Sequence, residues 1–323
     1  MNKKKIDMDM GSKMLITHAP HIWRGFSISR IMYIVVIALI FPAAAAVYFF
    51  GYWSLVLIAV CIAATVLTEY VIKKLRHKRF VMDGSAVITG LLFALVLPPR
   101  LPIWMAVTGA VFSIAVVKEA FGGLGYNIFN PALAGRAFLS VCFPREMTTW
   151  VLPSYFNPDA VTGPSPLGES FIAQGDKLTL YRDLLFGNTS GSMGETSALL
   201  ILAGGIILLL FRIIDWRIPV FYLGTVAIGS LLAGDDIIFQ LLAGGLMIGA
   251  FFMATDYATS PVVGNGRIIF AVGLGVLTVL FRNFGPMPEG VCFSILIMNA
   301  FTPLIDKYIK PKPFGYQGKK KNA

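Results

Sequence analysis

Residues 31–50, IMYIVVIALIFPAAAAVYFF, and residues 52–72, YWSLVLIAVCIAATVLTEYVI, decide the fold of this chain. Each stretch is long and apolar enough to cross the hydrocarbon core of a bilayer as a helix, which takes roughly 17–25 residues. Little more than Gly51 separates them, so they form an antiparallel pair of spans. Basic clusters flank the pair, and because two spans return the chain to its starting side, both clusters lie on one side of the membrane.

The remainder of the chain has the same apolar character. Of its 323 residues 56% are hydrophobic and 14% are charged, whereas a soluble domain carries about 25% charged residues. We therefore expect an all-α polytopic membrane protein, and several of its spans are short enough to be tilted or half-helices. The apolar runs predict ten spans, at about 31–50, 52–72, 85–97, 103–120, 132–143, 196–211, 220–233, 237–254, 268–281 and 290–305.

The distribution of charge predicts the orientation. The net charge is +10, and 17 of the 27 Lys and Arg residues lie in segments 1–30, 73–79 and 306–323. Loop 144–195 holds three basic and six acidic residues. Basic flanks opposite an acidic loop are typical of the positive-inside bias rather than of nucleic-acid binding. We expect a cytoplasmic basic segment at 1–30, a membrane domain at 31–305 whose loop 144–195 is extracytoplasmic, and a cytoplasmic basic tail at 306–323.

The cysteines and histidines argue against metal chemistry held by this chain. The three cysteines lie in apolar runs without a CxxC pair, and the three histidines lie in polar flanks. An iron–sulfur cluster or a His-ligated haem within the membrane is therefore not expected. No cleavable signal peptide is evident, because the first apolar run begins near Ile31.

A short internal echo favours two related five-helix halves. Residues 130–136, NPALAGR, resemble residues 260–267, SPVVGNGR, and both follow an apolar span and an acid, Glu119 in one case and Asp256 in the other. Broken backbone at membrane depth is tolerated where it is buried in protein or lines a cavity, and transporter-like folds show such paired interruptions. A chance match remains the alternative for so short a segment.

The segment from Gly191 to Ser197, GSMGETS, leads from the long loop into the sixth predicted span. Ser192 and Glu195 have the spacing of a capping box, which by itself indicates only a helix start. A helix N-terminus also presents free N–H groups and a positive dipole end, which suit a phosphate. A threonine at that position, Thr196, can carry a phosphate covalently.

At this point the chain resembles the D subunit of Rnf-type complexes and its homologue, the B subunit of sodium-pumping NADH:quinone reductases. The resemblance covers nearly the whole chain, including the basic N-terminus before paired spans. The motifs that carry it are GSMGETS at 191–197, KEAFGG at 118–123 running into NIFNPALAGRAF at 127–138, and ATD at 254–256.

The resemblance implies that Thr196 carries FMN through a phosphoester bond, attached by a separate flavin transferase that uses FAD as donor. Ser192, Gly194, Glu195 and Ser197 would form the surrounding cofactor site, and Thr196 would not be an acid–base catalyst. The general motif of that transferase has a small residue where this chain has Glu195. The Gly-Glu-Thr-Ser form suits the subfamily. A second, noncovalent flavin is left open.

Glu119 and Asp256 are the candidates for an ion pathway, because ionisable groups near membrane depth are costly and often mark ion or proton routes. The alternative is that they cap broken helices at the interface and pair with Lys118 and Arg267. The resemblance favours the ion-pathway interpretation. Arg136 and Arg267 could neutralise a phosphate or pair with these acids. Because both are expected on the side opposite Thr196, the pairing role is preferred.

Together these features predict the flavin-bearing membrane subunit of an ion-translocating oxidoreductase complex that links ferredoxin and NAD. We expect it in the cytoplasmic membrane of a bacterium or archaeon. The chain lacks a nucleotide-binding fingerprint, so partner subunits would hold the soluble redox chemistry. Sodium and protons remain equal candidates for the ion. Two alternatives stay open, a stand-alone solute channel or permease of urea-channel-like fold and a purely structural membrane anchor.

Overall fold

The computed structural model describes residues 27–153, 163, 177–285 and 290–310. Within these ranges the secondary structure is helical, with thirteen α-helices, two π-helical segments and no β-strand. The helices are α1 Ile28–Phe50, α2 Tyr52–Leu75, α3 Ser85–Leu95, α4 Ile103–Phe112, α5 Pro131–Cys142, α6 Pro144–Met147, α7 Lys177–Phe186, α8 Ala198–Leu210, α9 Arg217–Ala233, α10 Ile237–Leu242, α11 Leu246–Ile248, α12 Gly264–Phe284 and α13 Gly290–Tyr308. The π-helical segments Ser113–Glu119 and Gly249–Met253 continue α4 and α11.

The all-α polytopic prediction is confirmed. Four helices of the described chain, α1, α2, α12 and α13, are long and apolar enough to cross a membrane. Shorter apolar helices, among them α3, α5, α8 and α9, account for further predicted spans. Most of the basic segment 1–30, most of loop 144–195 and most of the tail 306–323 lie outside the described residues, so their domain predictions remain predictions.

Several predicted span limits differ from the structure, and the predicted eighth span at 237–254 is broken between α10 and α11. The sixth span begins at Ala198 rather than at Thr196. The ninth span was predicted to begin at residue 268, but α12 begins at Gly264. Val263 is its N-cap, in extended conformation with φ −89° and ψ 139°. The echoed segments do share one property, since each leads into a helix, α5 in one case and α12 in the other. The relation between two five-helix halves remains a prediction.

Small residues allow the long helices to pack closely. A Cβ on Gly204 of α8 would lie 2.5 Å from the carbonyl oxygen of Ala38 in α1. A Cβ on Gly275 of α12 would overlap the side chain of Thr225 in α9. Close approach through small residues is typical of helix pairs in membranes, where packing replaces the hydrophobic driving force. These contacts hold α1 against α8 and α9 against α12.

Discontinuous helices meet at two junctions inside the bundle. At the first, the segment from Gly191 to Ser197 crosses the end of α3, where the Met193 N–H donates to the Leu97 carbonyl at 3.1 Å and the Gly194 N–H to the Leu95 carbonyl at 2.6 Å. At the second, the Asn130 side chain caps α5 and donates to the Met253 carbonyl at 3.2 Å. Both junctions satisfy broken backbone inside the protein, which is the condition for irregular structure at membrane depth.

Candidate functional site

Thr196 lies at the first junction, two residues before α8 begins. Its side chain is 1% exposed, and its hydroxyl donates to the Met193 carbonyl at 3.0 Å. Ser197, rather than Ser192, is the N-cap of α8, accepting from the Leu200 N–H at 3.4 Å. The predicted capping box was therefore wrong. The turn from Ser192 to Glu195 is engaged with the end of α3, and the Glu195 carboxylate points to another partner.

Gly194 fits only because it has no side chain. A Cβ at this position would lie 2.8 Å from Cδ1 of Ile248 and 3.0 Å from the Leu95 carbonyl oxygen. The segment is thus wedged between the C-terminal end of α3 and α11. This wedge fixes the position of Thr196 relative to both discontinuous helices.

Ser192 is the one residue of the predicted cofactor site with an orphaned polar atom. It is fully buried, and its Oγ has no hydrogen-bond partner within the described structure. An unpaired buried hydroxyl is unfavourable unless a ligand or water satisfies it. The amide groups that open α8, which begins two residues after Thr196, supply a second kind of phosphate donor. The residues present therefore fit a phosphate ester, although Thr196 is closed off in this conformation.

Glu195 forms a buried ion pair with Arg136 of α5. Nη1 of Arg136 lies 3.4 Å from Oε1 of Glu195, and each side chain is 7% exposed. The prediction that Arg136 lies opposite Thr196 and pairs with Glu119 or Asp256 was wrong. The prediction placed Arg136 on the side of the membrane opposite Thr196. In the structure the second turn of α5 reaches the first junction, so Arg136 lies beside Glu195.

Arg282 of α12 is a further charge at this junction, and it was not predicted from the sequence. It lines the same small cavity as Arg136 and Glu195. Its guanidinium donates to the carbonyl oxygens of Gln240 at 2.5 Å and Ala243 at 2.9 Å. Arg282 thereby satisfies carbonyls where α10 ends and the chain breaks before α11. Its position near the end of a predicted span was the only signal in the sequence.

Glu119 ends the π-helical segment that continues α4. Its side chain is buried, and Oε1 has no hydrogen-bond partner within the described residues. Oε2 lies 3.8 Å from Nη1 of Arg76, which also donates to the Glu119 carbonyl at 2.5 Å. Neither Arg136 nor Lys118 pairs with this carboxylate, contrary to the sequence-based expectations.

Asp256 lies beyond the second junction, in the connection between the π-helical segment Gly249–Met253 and α12. With Lys118 it lines a cavity of about 110 Å³ among α1, α3 and α5. Burial raises the pKa of Asp256 above the ordinary aspartate value, against hydrogen bonds from the Ala258 N–H and the Thr259 hydroxyl.

Arg267 does not pair with Asp256 as expected. Its Nη1 lies 2.6 Å from Oδ2 of Asp215, in the turn between α8 and α9. Arg267 sits in the first turn of α12, and that turn faces the α8–α9 connection. Asp256 is instead held by its own local turn.

Glu69 is an acid that the sequence-based site omitted. It is 1% exposed in α2, where Oε2 accepts from Nζ of Lys118 at 3.0 Å, and Lys73 completes an ion pair with its other oxygen. Lys118 also donates to Oγ of Ser85 at 2.7 Å. The signal was present, because Glu69 is the only charged residue in the second apolar run and an intramembrane acid is a functional candidate by default.

The two junctions lie at opposite ends of one helical segment. A Cβ on Gly245 would lie 3.0 Å from Oε1 of Glu195, and the chain then runs through α11 and its π continuation to Met253 and on to Asp256. Eight helical residues span about 12 Å. The structure thus brings Ser192, Gly194, Glu195, Thr196 and Ser197 together and separates them from Asp256.

Helices that break inside an apolar bundle, with buried charges at the breaks, define a polytopic membrane protein with the interrupted helices that transporter-like folds share. Residues 15–315 match the model of the NQR2, RnfD, RnfE family. The chain belongs to this family.

Three relatives match along nearly their whole length. The chain is 46% identical to the D subunit of the Na(+)-translocating ferredoxin:NAD(+) oxidoreductase complex of Acetobacterium woodii, over 96% of this chain and 98% of the relative. It is 46% identical to the D subunit of the proton-translocating ferredoxin:NAD(+) oxidoreductase complex of Clostridium ljungdahlii, over 93% and 96%. It is 38% identical to the D subunit of the ion-translocating oxidoreductase complex of Stutzerimonas stutzeri, over 90% and 92%.

Proposed function

We propose that this chain is the D subunit of an ion-translocating ferredoxin:NAD oxidoreductase complex. The support is its family membership and the extent of the match to relatives bearing that name. The chain acts within the assembled complex, because its described part offers no soluble domain to hold ferredoxin or nicotinamide chemistry. Relatives with the same 46% identity are named as sodium- and proton-translocating, so identity does not select the ion.

Thr196 carries FMN through a phosphoester bond in this proposal. The observation that carries it is the buried, unpartnered hydroxyl of Ser192, together with the amide groups that open α8 two residues after Thr196. These donors suit two phosphate oxygens, while Arg136 neutralises the Glu195 carboxylate that would otherwise repel the phosphate. The bound flavin supplies the redox chemistry, and the chain supplies its attachment, orientation and electrostatic surroundings.

Attachment requires a flavin transferase and an opening of the segment. The Thr196 hydroxyl oxygen forms the new bond to the FMN phosphorus of FAD, AMP leaves, and the hydroxyl proton is released. Because Thr196 is 1% exposed, the hydroxyl must first turn away from the Met193 carbonyl. The transferase therefore acts on an open form of the Gly191–Ser197 segment.

In-gel fluorescence tests the attachment site. The full chain is co-expressed with a flavin transferase, denatured, separated on a gel and illuminated with ultraviolet light. Thr196→Ala is expected to lose the fluorescent band, while Thr189→Ala, a substitution at another buried threonine of the same connection, is expected to keep it. A band that survives Thr196→Ala would remove Thr196 as the attachment site, and its absence from the unaltered chain would favour a channel or anchor.

Glu119 and Asp256 contribute to the ion route in this proposal. Both carboxyl groups lie near helix breaks, Glu119 with an unpartnered oxygen and Asp256 on a cavity that Lys118 also lines. In the assembled complex, Glu119→Gln and Asp256→Asn are expected to slow ion-coupled turnover about tenfold with unchanged flavin content. The matched control is Asp235→Asn, in the turn between α9 and α10. Unchanged ion uptake by proteoliposomes in both variants would refute this role.

Family membership favours this function over a stand-alone solute channel or permease, and over a purely structural anchor. A second, noncovalent flavin remains a prediction that flavin extraction from the native complex would test. The orientation in the cytoplasmic membrane of a bacterium or archaeon, with both termini on the cytoplasmic side, also remains a prediction. Reporter fusions to residues 1 and 323 would test that orientation.

A further inference from the structure

A cavity of about 480 Å³ lies beside the turn between α8 and α9, apart from the first junction but bordering the Asp256 cavity, with which it shares Ile213, Ile214, Thr255 and Tyr257. Its lining combines three arginines, Arg212, Arg217 and Arg267, with a single acid, Asp215. Asp215 is engaged by Arg267 at 2.6 Å. Within the described part of the chain, Arg212 and Arg217 form no salt bridge, although the charge of Arg217 helps to lower the pKa of Asp215. Three arginines and one acid give the cavity lining a net positive charge.

The turn between α8 and α9 places Arg212 in the lining of this cavity. Arg212 follows the last turn of α8 and has a φ of 53°, a left-handed conformation that glycine usually occupies at this position. The Ile213 N–H donates to the Leu208 carbonyl at 2.9 Å and closes the helix end around it. The chain thus holds an arginine in an unfavourable backbone conformation at the cavity rim.

The remaining walls are largely apolar and aromatic, with Thr255 and Ser260 as their polar side chains. Leu209 and Ile213 line the interior, and Trp216 and Tyr257, each 55% exposed, flank it. Tryptophan and tyrosine are enriched where a membrane protein meets the headgroup layer. Arginine at that level forms bidentate hydrogen bonds to phosphate, while the apolar walls suit the first carbons of an acyl chain.

We propose that this cavity binds the phosphate headgroup of an anionic phospholipid. Arg212 and Arg217 hold the phosphate, Trp216 and Tyr257 mark the interface, and the Leu209–Ile213 wall contacts the glycerol and acyl carbons. Basic pockets between membrane helices are recognised sites for anionic headgroups. The site is separate from Thr196 and Glu119, borders the Asp256 cavity through Thr255 and Tyr257, which line both, and adds a lipid requirement to the proposed function.

Native mass spectrometry of the full-length chain tests the site. The purified, delipidated protein is titrated with phosphatidylglycerol or phosphatidylcholine, and bound lipid is counted. The unaltered chain is expected to retain one phosphatidylglycerol in preference to phosphatidylcholine. Arg212→Gln with Arg217→Gln is expected to weaken that binding about 30-fold, since each basic group near the headgroup contributes about a factor of five. The matched control, Lys78→Gln with Arg79→Gln, removes two charges elsewhere and is expected to bind normally.

Arg212→Lys with Arg217→Lys distinguishes lost charge from lost folding, and it is expected to retain most of the binding. Equal retention of the two lipids by the unaltered chain would overturn the proposal. So would equal losses in the glutamine pair and the control pair, which would indicate only general surface attraction. Competition by millimolar inorganic phosphate that displaces the lipid completely would assign the cavity to a soluble phosphate compound instead.

Discussion

Arg136 and Glu195, 59 positions apart in the sequence, form an ion pair inside the bundle at 3.4 Å, with 7% of each side chain exposed. Glu195 directly precedes the threonine proposed to carry flavin, and Arg136 lies in the NPALAGR segment of α5. The pair therefore joins two sequence motifs that were assigned to opposite sides of the membrane. It also places a neutralising cation beside the only acid of the GSMGETS motif.

Breaking this pair from one side is expected to destabilise the protein strongly. Glu195→Gln leaves Arg136 without its carboxylate partner in a buried site, and such changes cost about 3–5 kcal/mol. Replacing both residues by leucine removes the charges together and is expected to cost less than the single substitution. Denaturant unfolding of the full chain in detergent measures both. A single variant as stable as the unaltered chain, or a double variant less stable than the single, would contradict the buried pair.

Gly194 and Gly191 offer a matched test of the wedge at the first junction. Gly194→Ala places a Cβ 2.8 Å from Ile248 and 3.0 Å from the Leu95 carbonyl oxygen, so the segment must shift. Gly191→Ala meets nothing nearer than Oε2 of Glu195 at 3.4 Å, an ordinary contact. We expect Gly194→Ala to lower stability by about 1–3 kcal/mol and reduce flavin content, and Gly191→Ala to leave both nearly unchanged. Equal effects of the two substitutions would refute the wedge.

Glu69 has two cationic partners, Lys118 and Lys73, that differ in burial. This difference predicts which of the two substitutions lowers stability more. Lys118 is 3% exposed and 3.0 Å from Glu69, whereas Lys73 is 16% exposed. Lys118→Gln leaves the buried carboxylate without its deeper partner and is expected to cost about 3 kcal/mol. Lys73→Gln is expected to cost about 1 kcal/mol or less, because solvent compensates a partly exposed group. Thermal unfolding of both variants checks the order, and the reverse order would contradict it.

The Asp215–Arg267 pair predicts a pH dependence in acid. Partial burial opposes ionisation of Asp215, but hydrogen bonds from the Arg217 N–H and the Arg267 guanidinium outweigh it and hold its pKa below the ordinary value. A lowered pKa in the folded state stabilises the protein above the unfolded pKa of about 3.9, and this contribution is lost as the pH falls through the folded value.

Asp215→Asn is therefore expected to lower stability by about 1 kcal/mol at pH 7, and this loss is expected to shrink as the pH falls below the unfolded pKa of about 3.9. Unfolding midpoints measured across that range for the variant and the unaltered chain give the comparison. A difference between the two that is constant across the range would show that the carboxylate charge is not responsible.

The sequence predicted the helices better than the contacts between them. A run of apolar residues long enough to cross a bilayer leaves the backbone no alternative to a helix, because water is not available to satisfy its N–H and C=O groups. That is why the predicted spans at 31–50 and 52–72 correspond to α1 and α2. Capping at the sixth span was mispredicted, because Ser192 and Glu195 satisfy a local rule that tertiary contacts overrode.

The partners of the buried charges could not be read from the chain. Arg136, Arg267 and Glu119 were each assigned partners by nearness in sequence and by predicted side, and in the structure each partner differs. Because α5 begins inside the bundle, Arg136 in its second turn lies at an intermediate depth. A topology that assigns each residue to one side of the membrane or the other does not represent that depth. Glu69 and Arg282 were overlooked for a similar reason, since their roles depend on helices that are distant in sequence.

The sequence by itself determined that this chain is an all-helical membrane protein, roughly where most of its helices lie, and which motifs deserve a functional hypothesis, because hydrophobicity and length act locally along the chain. Only the tertiary structure decided that the GSMGETS segment closes the end of α3, that Glu195 pairs with Arg136, and that Asp256 lies at the far end of α11 and its π-helical continuation. Those relationships depend on how broken helices meet, and buried charges take their partners from the nearest neighbour in space rather than in sequence.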